Sequence, residues 1–276
     1  MFNNRIKTIN LGKLPDMSLD GYWVADINDG KLQEIANALG FKLNIVTSGS
    51  EWYLYTDDEH KTTGVYATFK SEVFQMFLYK DGLPSNNGDK YTYNYSSIPI
   101  QLIKKTSSTD YAKIETAKLW YIKGDDETVI FGLSGYYSNS YHSEYKYGMI
   151  HTKAENMYDK SVSDCIIALT GYGETNSISK NADTFIVLLD GKGATKGTFR
   201  DISPIFASEV VTMLTPYPIY INNIFYTLKN IYFPFVAEQR THYFSMDNKD
   251  YYYASYDLNN MGNHMGDFVM SIPGEE

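Results

Sequence analysis

The segment YPIYINNIFY, residues 217–226, sets the fold class of this chain. Apolar and aromatic residues run up to Asn222 and Asn223 and resume directly after them. A polar break of two residues between such runs has the right length for a hairpin turn. Tyrosine and β-branched residues suit a pleated, half-buried surface. The pattern therefore predicts an antiparallel β-hairpin.

A second aromatic hairpin is predicted where YFSM, residues 243–246, and YYY, residues 251–253, flank the polar break DNKD. Together the two hairpins form an aromatic tract over residues 217–256. We expect its aliphatic and phenylalanine positions to hold the sheet, and its exposed tyrosine face to meet a partner. The expected sheet-holding positions are Ile219, Ile221, Phe225, Phe233 and Phe235.

Elsewhere the chain predicts strands and one clear helix. Residues 29–40 place Leu32, Ile35, Ala36 and Leu39 on one helical face, with Asn28 or Asp29 as N-cap and Gly40 at the end. Residues 73–78 fit either a strand or a short buried helix, and residues 208–214 fit a short helix. Strands are predicted at 41–46, 51–56, 65–70, 98–103, 119–123, 128–133, 147–151, 165–169 and 185–189.

These elements predict a mainly β fold, an antiparallel, sandwich-like, hairpin-rich architecture with one or two short helices. The polar stretch 104–110 suggests a boundary between an N-terminal β-rich domain, 1–105, that carries the helix and a C-terminal β-rich domain, 106–276, that carries the aromatic hairpins.

The composition of the chain argues against several classes of function. The 276 residues include 26 tyrosines, and the formal charge of −9 argues against a nucleic-acid partner. One cysteine, Cys165, excludes a disulfide framework. No apolar run approaches the ~18 residues that a membrane-spanning helix needs. The first residues lack the apolar core of a secretory signal, so synthesis in a cytoplasm is expected.

Catalytic and metal signatures are weak. The five histidines show no metal-ligand spacing, and residues 191–198 fail the order of a phosphate-binding loop. Two acidic turns, 57–59 and 125–127, offer paired carboxylates, although such turns usually keep a hairpin tip solvated. We therefore predict no enzyme activity, no catalytic, cofactor-binding or metal residues, and no cofactor.

Aromatic side chains are the candidate binding residues. Residues 135–148 combine tyrosines with serine and asparagine, a composition that suits adaptable recognition. The candidates are Trp52, Trp120, Tyr136, Tyr137, Tyr141, Tyr145, Tyr220, Tyr226, Tyr232, Tyr243, Tyr251 and Tyr253.

Two C-terminal segments, LDGKGATKGTFRDISP (189–204) and RTHYFSMDNKDYYYA (240–254), resemble virion proteins of tailed bacteriophages. The resemblance lies in the aromatic hairpins, the acidic charge and the near absence of cysteine. It covers mainly the last ~90 residues by their hairpin pattern, and it transfers no functional residue. It implies a non-enzymatic structural component of a tail, baseplate, neck or capsid, located in the virion.

The expected partners are other virion proteins and copies of the chain itself, with a host-surface glycan as a further possibility. Two alternatives stay open from the residues alone. One is a carbohydrate- or receptor-binding module that stacks ligands on Trp52, Trp120 and the 136–147 tyrosines. The other is a cell-wall hydrolase that uses the acidic turns, with Asp57, Asp58, Asp125 and Asp126.

Overall fold

The fold is mainly β and antiparallel, as predicted, with one α-helix among the residues that the structure describes. The structure, a computed structural model, describes residues 5–13, 24–59, 61, 63–71, 73–79, 97–101, 117–136, 144–169, 184–190, 192–197, 213–235, 243–254 and 268–274. The helix is α1, Asp29–Leu39.

The strands are β1 (Lys7–Asn10), β2 (Gly12–Lys13), β3 (Val24–Ala25), β4 (Lys42–Thr47), β5 (Glu51–Tyr55), β6 (Gly64–Lys70), β7 (Val73–Tyr79), β8 (Ser97–Gln101), β9 (Lys118–Lys123), β10 (Val129–Tyr136), β11 (Glu144–Asn156), β12 (Val162–Leu169), β13 (Thr184–Leu188), β14 (Ala194–Gly197), β15 (Met213–Ile221), β16 (Ile224–Phe235), β17 (Tyr243–Met246), β18 (Lys249–Ala254) and β19 (Phe268–Ile272).

The strands form a large sheet, a five-stranded sheet and one short pair. The large sheet runs β1-β9-β10-β11-β16-β19-β18-β17, while β12, β13 and β14 continue outward from β11 and β15 pairs with β16. The five-stranded sheet has the order β4-β5-β6-β7-β8, and β2 pairs with β3. Neighbours in sequence are mostly neighbours in space, which is the topology of consecutive hairpins.

Helix α1 forms where the sequence predicts it. The Asn28 side chain caps the start by accepting a hydrogen bond from the Lys31 amide, and Gly40 ends the helix with φ of 79°. Glycine adopts this left-handed conformation without the steric cost of a Cβ. The predicted apolar face, with Leu32, Ile35, Ala36 and Leu39, is fully buried.

Strand pairing shows which element two further segments belong to. Residues 73–78 belong to strand β7, because they pair with β6 on one side and β8 on the other. The helix predicted at 208–214 is wrong at its end, since Met213 and Leu214 open strand β15 and pair with Phe235 and Pro234. The rest of that prediction, 208–212, lies outside the described residues.

One core cluster joins the two larger sheets. It contains Trp52, Leu54 and Phe74 of the five-stranded sheet, the buried face of α1, and Phe131 and Met149 of the large sheet. Strand β1 pairs with β9, and the Thr63 hydroxyl donates to the Leu189 carbonyl at 2.6 Å. Contacts therefore cross residue 105, and the two-domain division at that point stays a prediction.

Strand β16 bends in its middle. Residues Tyr226 to Leu228 pair with β11, whereas Ile231 and Tyr232 pair with β19. Between them Asn230 has φ of 55°, and its buried side-chain amide donates to the carbonyls of Asp125 and Ser271 at 2.9 and 3.0 Å. These hydrogen bonds fix the bend, so the first half of β16 is held against β11.

Candidate interaction surface

Four neighbouring strands, in the order β15-β16-β11-β12, present one solvent-facing surface near two hairpin turns. Large apolar side chains are exposed at this end of the sheet. We call this set the hairpin-tip patch, and it consists of Met157, Tyr158, Val162, Tyr220 and Phe225. Large exposed apolar side chains grouped in this way mark contact surfaces more often than single scattered ones do.

The β15–β16 turn sets one half of the patch. Asn222 and Asn223 have φ of 48° and 66°, the double left-handed conformation of a two-residue hairpin turn. This turn pairs Ile221 with Ile224 and Tyr220 with Phe225. Directly opposed side chains lie on the same face, so Tyr220 and Phe225 project together, with ring centroids 4.7 Å apart.

The β11–β12 turn supplies the other half. The Met157 amide donates to the Phe225 carbonyl at 2.9 Å, which places Met157 beside the aromatic pair. The turn is held by the Asp159 carboxylate, which accepts from the Ser161 amide and hydroxyl at 2.8 and 2.6 Å. These bonds to Ser161 hold the pKa of Asp159 below its usual value. Two independently braced turns thus present the exposed side chains.

Charged side chains lie behind the apolar tip on the same surface. Lys229 of β16 donates to the Glu155 carboxylate of β11, and Lys160 lies 3.4 Å from that carboxylate. The hydrogen bond from Lys229 is the main reason that the pKa of Glu155 is lowered. Around the patch the carboxylates of Glu155 and Asp159 therefore lie near ammonium groups, in a chain whose formal charge is −9.

The opposite side of these strands is core. Ile219, Ile221, Tyr226 and Leu228 are buried and belong to a second apolar cluster of the large sheet. Burial raises the pKa of Tyr226. Because one face of β15 and β16 is buried in the core, the exposed side chains on the other face are held by a packed sheet and not by a loop.

Among the twelve predicted binding residues, those whose side chains the structure describes differ in burial. Trp52, Tyr226 and Tyr251 are buried core residues rather than surface residues, and the Trp52 indole donates to the Asp29 carboxylate at 2.7 Å. Trp120, Tyr232 and Tyr243 are partly buried, and Tyr220 is exposed. Tyr137 and Tyr141 lie outside the described residues, and for Tyr136, Tyr145 and Tyr253 the structure describes the strand but not the side chain.

The predicted division between phenylalanine and tyrosine in the aromatic tract is wrong at 225 and 226. Ile219 and Ile221 do hold the core, but Phe225 is exposed and Tyr226 is buried. The strand register explains this difference. Tyr226 pairs with Ile219, so the side chains of both residues lie on the buried face of the sheet. Phe233 and Phe235 lie in β16, and their side chains are not among those described.

Sequence reasoning missed four members of the patch. Phe225 had a usable signal, since a two-residue Asn222–Asn223 turn fixes its pairing with Tyr220. For Met157, Tyr158 and Val162, no local sequence pattern indicates a place in the patch. They reach the patch because β11 pairs with β16, which is distant in sequence.

The acidic turns are occupied by contacts within the chain. The Asp58 carboxylate accepts from Lys42 at 2.7 Å and from Tyr55 at 3.1 Å, and the bond from Lys42 leads the causes that lower the pKa of Asp58. The Asp125 carboxylate accepts from the Ser271 hydroxyl at 2.8 Å. The two turns lie in different sheets, and in each of them a carboxylate is hydrogen-bonded within the chain.

Other candidate chemical groups are few in the described part of the chain. Cys165 is fully buried, and burial raises the pKa of its thiol. Among the described residues, no group of three or more histidine, cysteine, aspartate or glutamate side chains is arranged to hold a metal ion. Within the same residues, no helix has both the length and the apolar character to cross a bilayer.

Comparison of the chain with family models, with curated proteins and with solved structures finds no match.

Proposed function

We propose that this protein is a non-enzymatic structural component of a phage virion, in a tail, baseplate, neck or capsid, and that it acts through protein–protein contacts. The observation that carries the proposal is the exposed aromatic pair of the hairpin-tip patch. Tyr220 and Phe225 are 49% and 47% exposed although their tilted rings lie 4.7 Å apart, centroid to centroid, and the opposite face of their strands is buried in the core. The assignment to a phage virion rests on the resemblance of residues 189–204 and 240–254 to virion proteins of tailed bacteriophages.

The energetic argument favours a protein partner. Aromatic rings supply large contact area at a small cost in conformational entropy, and they are enriched at protein interfaces. Complete burial of an exposed side chain of this size contributes about 1.5–3 kcal/mol, and since each ring is already about half buried, a partner that covers the rest gains roughly half of that per ring. An assembly that repeats the same contact adds these contributions over many copies.

The direct test is mass spectrometry of purified particles, made with wild-type chain and with the double variant Tyr220→Ser/Phe225→Ser. We expect wild-type chain in the particles and a strong loss of incorporation for the double variant. The matched control is Ile45→Ser/Val46→Ser on strand β4, because Ile45 and Val46 are also exposed apolar residues but belong to the other sheet. Absence of wild-type chain from particles contradicts the proposal.

A carbohydrate- or receptor-binding module is the second candidate. It is favoured by the partly exposed Tyr220 ring, whose hydroxyl donates at 3.1 Å to the Asn223 side chain in the adjacent turn. A ring beside a fixed amide can stack on a sugar and hydrogen-bond its hydroxyls. A glycan array that shows binding by wild-type chain, lost in Tyr220→Ser, would support this candidate over the first, and an array without binding would count against it.

A further inference from the structure

We infer that strand β4 pairs with β4 of a second copy, antiparallel, about a two-fold axis at Asn44 that is perpendicular to the sheet. Two five-stranded sheets would then join into one sheet of ten strands. This contact lies in a different sheet from the hairpin-tip patch and goes beyond the proposed function.

The outer edge of β4 is open. In the part of the chain that the structure describes, β4 pairs with β5 alone. Five of its six residues are exposed, among them Ile45 and Val46 at 48% and 37%. An edge strand presents a row of backbone N–H and C=O groups, and the partner that matches this row is another extended strand. The edge therefore selects a β-strand as its occupant.

Proline protects other edges of the protein but not β4. At the opposite end of the same sheet β8 carries Pro99, and β15 of the large sheet carries Pro216 and Pro218. Proline has no N–H to donate and blocks the addition of a strand. Strand β4 contains no proline, and its ladder with β5 is regular from Lys42 to Ile45.

Bonds at both ends hold β4 in place. Before the strand, the Phe41 amide donates to the Ala36 carbonyl of α1 at 2.8 Å. After it, the Asp29 carboxylate accepts from the Ser48 hydroxyl at 2.6 Å and from the Gly49 amide at 2.9 Å. A strand that is already fixed in the extended form loses little further freedom when another strand pairs with it.

The strand register makes β4 complementary to its own copy. A two-fold axis perpendicular to a sheet leaves every side chain on its own face, and an axis at Asn44 sets Leu43 opposite Ile45 of the second copy, twice. Both side chains lie on the core face, since Leu43 pairs with Leu54 and Ile45 with Trp52. The exposed Ile45 would thus be covered by a leucine that already packs against the core.

The polar side chains of β4 are also compatible with a second copy. Its one charged residue is Lys42, whose ammonium group lies 2.7 Å from the Asp58 carboxylate of the same chain. Asn44 would face Asn44 across the axis, and an amide both donates and accepts hydrogen bonds. Two chains of charge −9 therefore meet here without bringing an unpaired charge to the contact.

The length of the regular ladder sets the expected affinity. Four residues of a strand span only about 13 Å, so the contact falls below the ~800 Å² per partner of a standard stable interface. We expect a weak dimer with a dissociation constant on the order of micromolar or above.

Sedimentation velocity of the full chain over a wide concentration range tests the pairing. We expect wild-type chain to dimerise. Asn44→Asp and Asn44→Lys alone should each raise the dissociation constant at least about tenfold, because two like charges then face each other at the axis. Their equal mixture should dimerise at least as tightly as wild type, because the acid then faces the lysine.

The matched control is Asn248→Asp, which makes the same change of charge at an exposed turn of the other sheet. It is expected to leave dimerisation unchanged, and melting curves confirm that each variant is folded. A folded mixture of Asn44→Asp and Asn44→Lys that stays monomeric overturns the pairing.

Cross-linking locates the axis. Directly opposed residues of antiparallel strands have Cα atoms about 4.5–5.5 Å apart, a separation that a disulfide spans. Asn44→Cys is therefore expected to give a covalent dimer on mild oxidation, read on a non-reducing gel, whereas Asn248→Cys is expected to stay monomeric. The native Cys165 is buried and does not compete. Equal cross-linking of the two variants overturns an axis at Asn44.

The outcomes distinguish this contact from the proposed function. A wild-type chain that is monomeric at every concentration, yet is lost from particles when Tyr220 and Phe225 are replaced, overturns the β4 pairing and keeps the assembly role of the hairpin-tip patch. A chain that dimerises through β4 but is absent from particles keeps the pairing and overturns the virion role.

Discussion

Two regions of this protein are built from tyrosine-rich antiparallel strands, but the aromatic rings are buried in one region and about half exposed in the other. On one face of the five-stranded sheet Tyr53, Tyr66 and Tyr79 are at most 3% exposed, with Tyr53 at 5.1 and 5.2 Å from the other two rings. We call this set the tyrosine face. In the hairpin-tip patch Tyr220 and Phe225 are about half exposed.

Hydrogen bonding distinguishes the two regions. On the tyrosine face the Tyr66 hydroxyl donates to the Glu51 carboxylate at 2.6 Å, and the Tyr79 hydroxyl donates to the Lys61 carbonyl at 3.0 Å. Burial raises the pKa of Tyr79, so this phenol stays protonated. Buried tyrosine hydroxyls need such partners. The Tyr220 hydroxyl bonds within its own turn, and its ring keeps a free surface.

The largest effect is expected from Tyr66→Ala on the tyrosine face. Removal of a fully buried ring leaves a cavity and deprives Glu51 of a donor, so the free energy of unfolding should fall by about 4 kcal/mol. Urea unfolding followed by tryptophan fluorescence measures it. Tyr66→Phe is the matched control, with an expected loss of about 1–2 kcal/mol. A loss below about 1 kcal/mol for Tyr66→Ala would show that the ring is not core.

An intermediate, pH-dependent effect is expected from Glu51→Gln. Hydrogen bonds from Lys70, Thr47 and Tyr66 lower the pKa of Glu51 to about 2. A carboxyl whose folded pKa is lowered contributes stability that is complete above its unfolded pKa, near 4.5, and that disappears as pH falls toward 2. We expect Glu51→Gln to lose about 2 kcal/mol at pH 7.

The pH profile of that variant provides the decisive comparison. The difference in unfolding free energy between wild type and Glu51→Gln should shrink steadily as urea titrations move from pH 6 down to pH 3. A difference that is constant over this interval would mean that ionisation of Glu51 is not what stabilises the tyrosine face.

The smallest effect on stability is expected from Phe225→Ser in the hairpin-tip patch. The ring is half exposed in the isolated chain, so its replacement should change the unfolding free energy by less than about 1 kcal/mol. The same urea experiment measures it. A loss comparable to that of Tyr66→Ala would place Phe225 in the core and remove the contrast between the two regions.

Local sequence patterns determined much of the fold. Asn28, the apolar face of α1 and Gly40 define the helix, because caps and 3.6-residue periodicity act within a few residues. The Asn222–Asn223 turn and the alternation in β15 and β16 define the first aromatic hairpin. The turn at Asp247 and Asn248 likewise joins β17 and β18, within the break predicted at 247–250.

The tertiary structure alone decided which aromatic residues are exposed and which surfaces meet. Trp52 and Tyr251 have the same local pattern as exposed aromatic residues, but packing of other strands buries them. The hairpin-tip patch exists because β11 pairs with β16, and the bend at Asn230 holds that pairing. Pairing between distant strands depends on burial summed over the whole sheet, which short-range patterns do not encode.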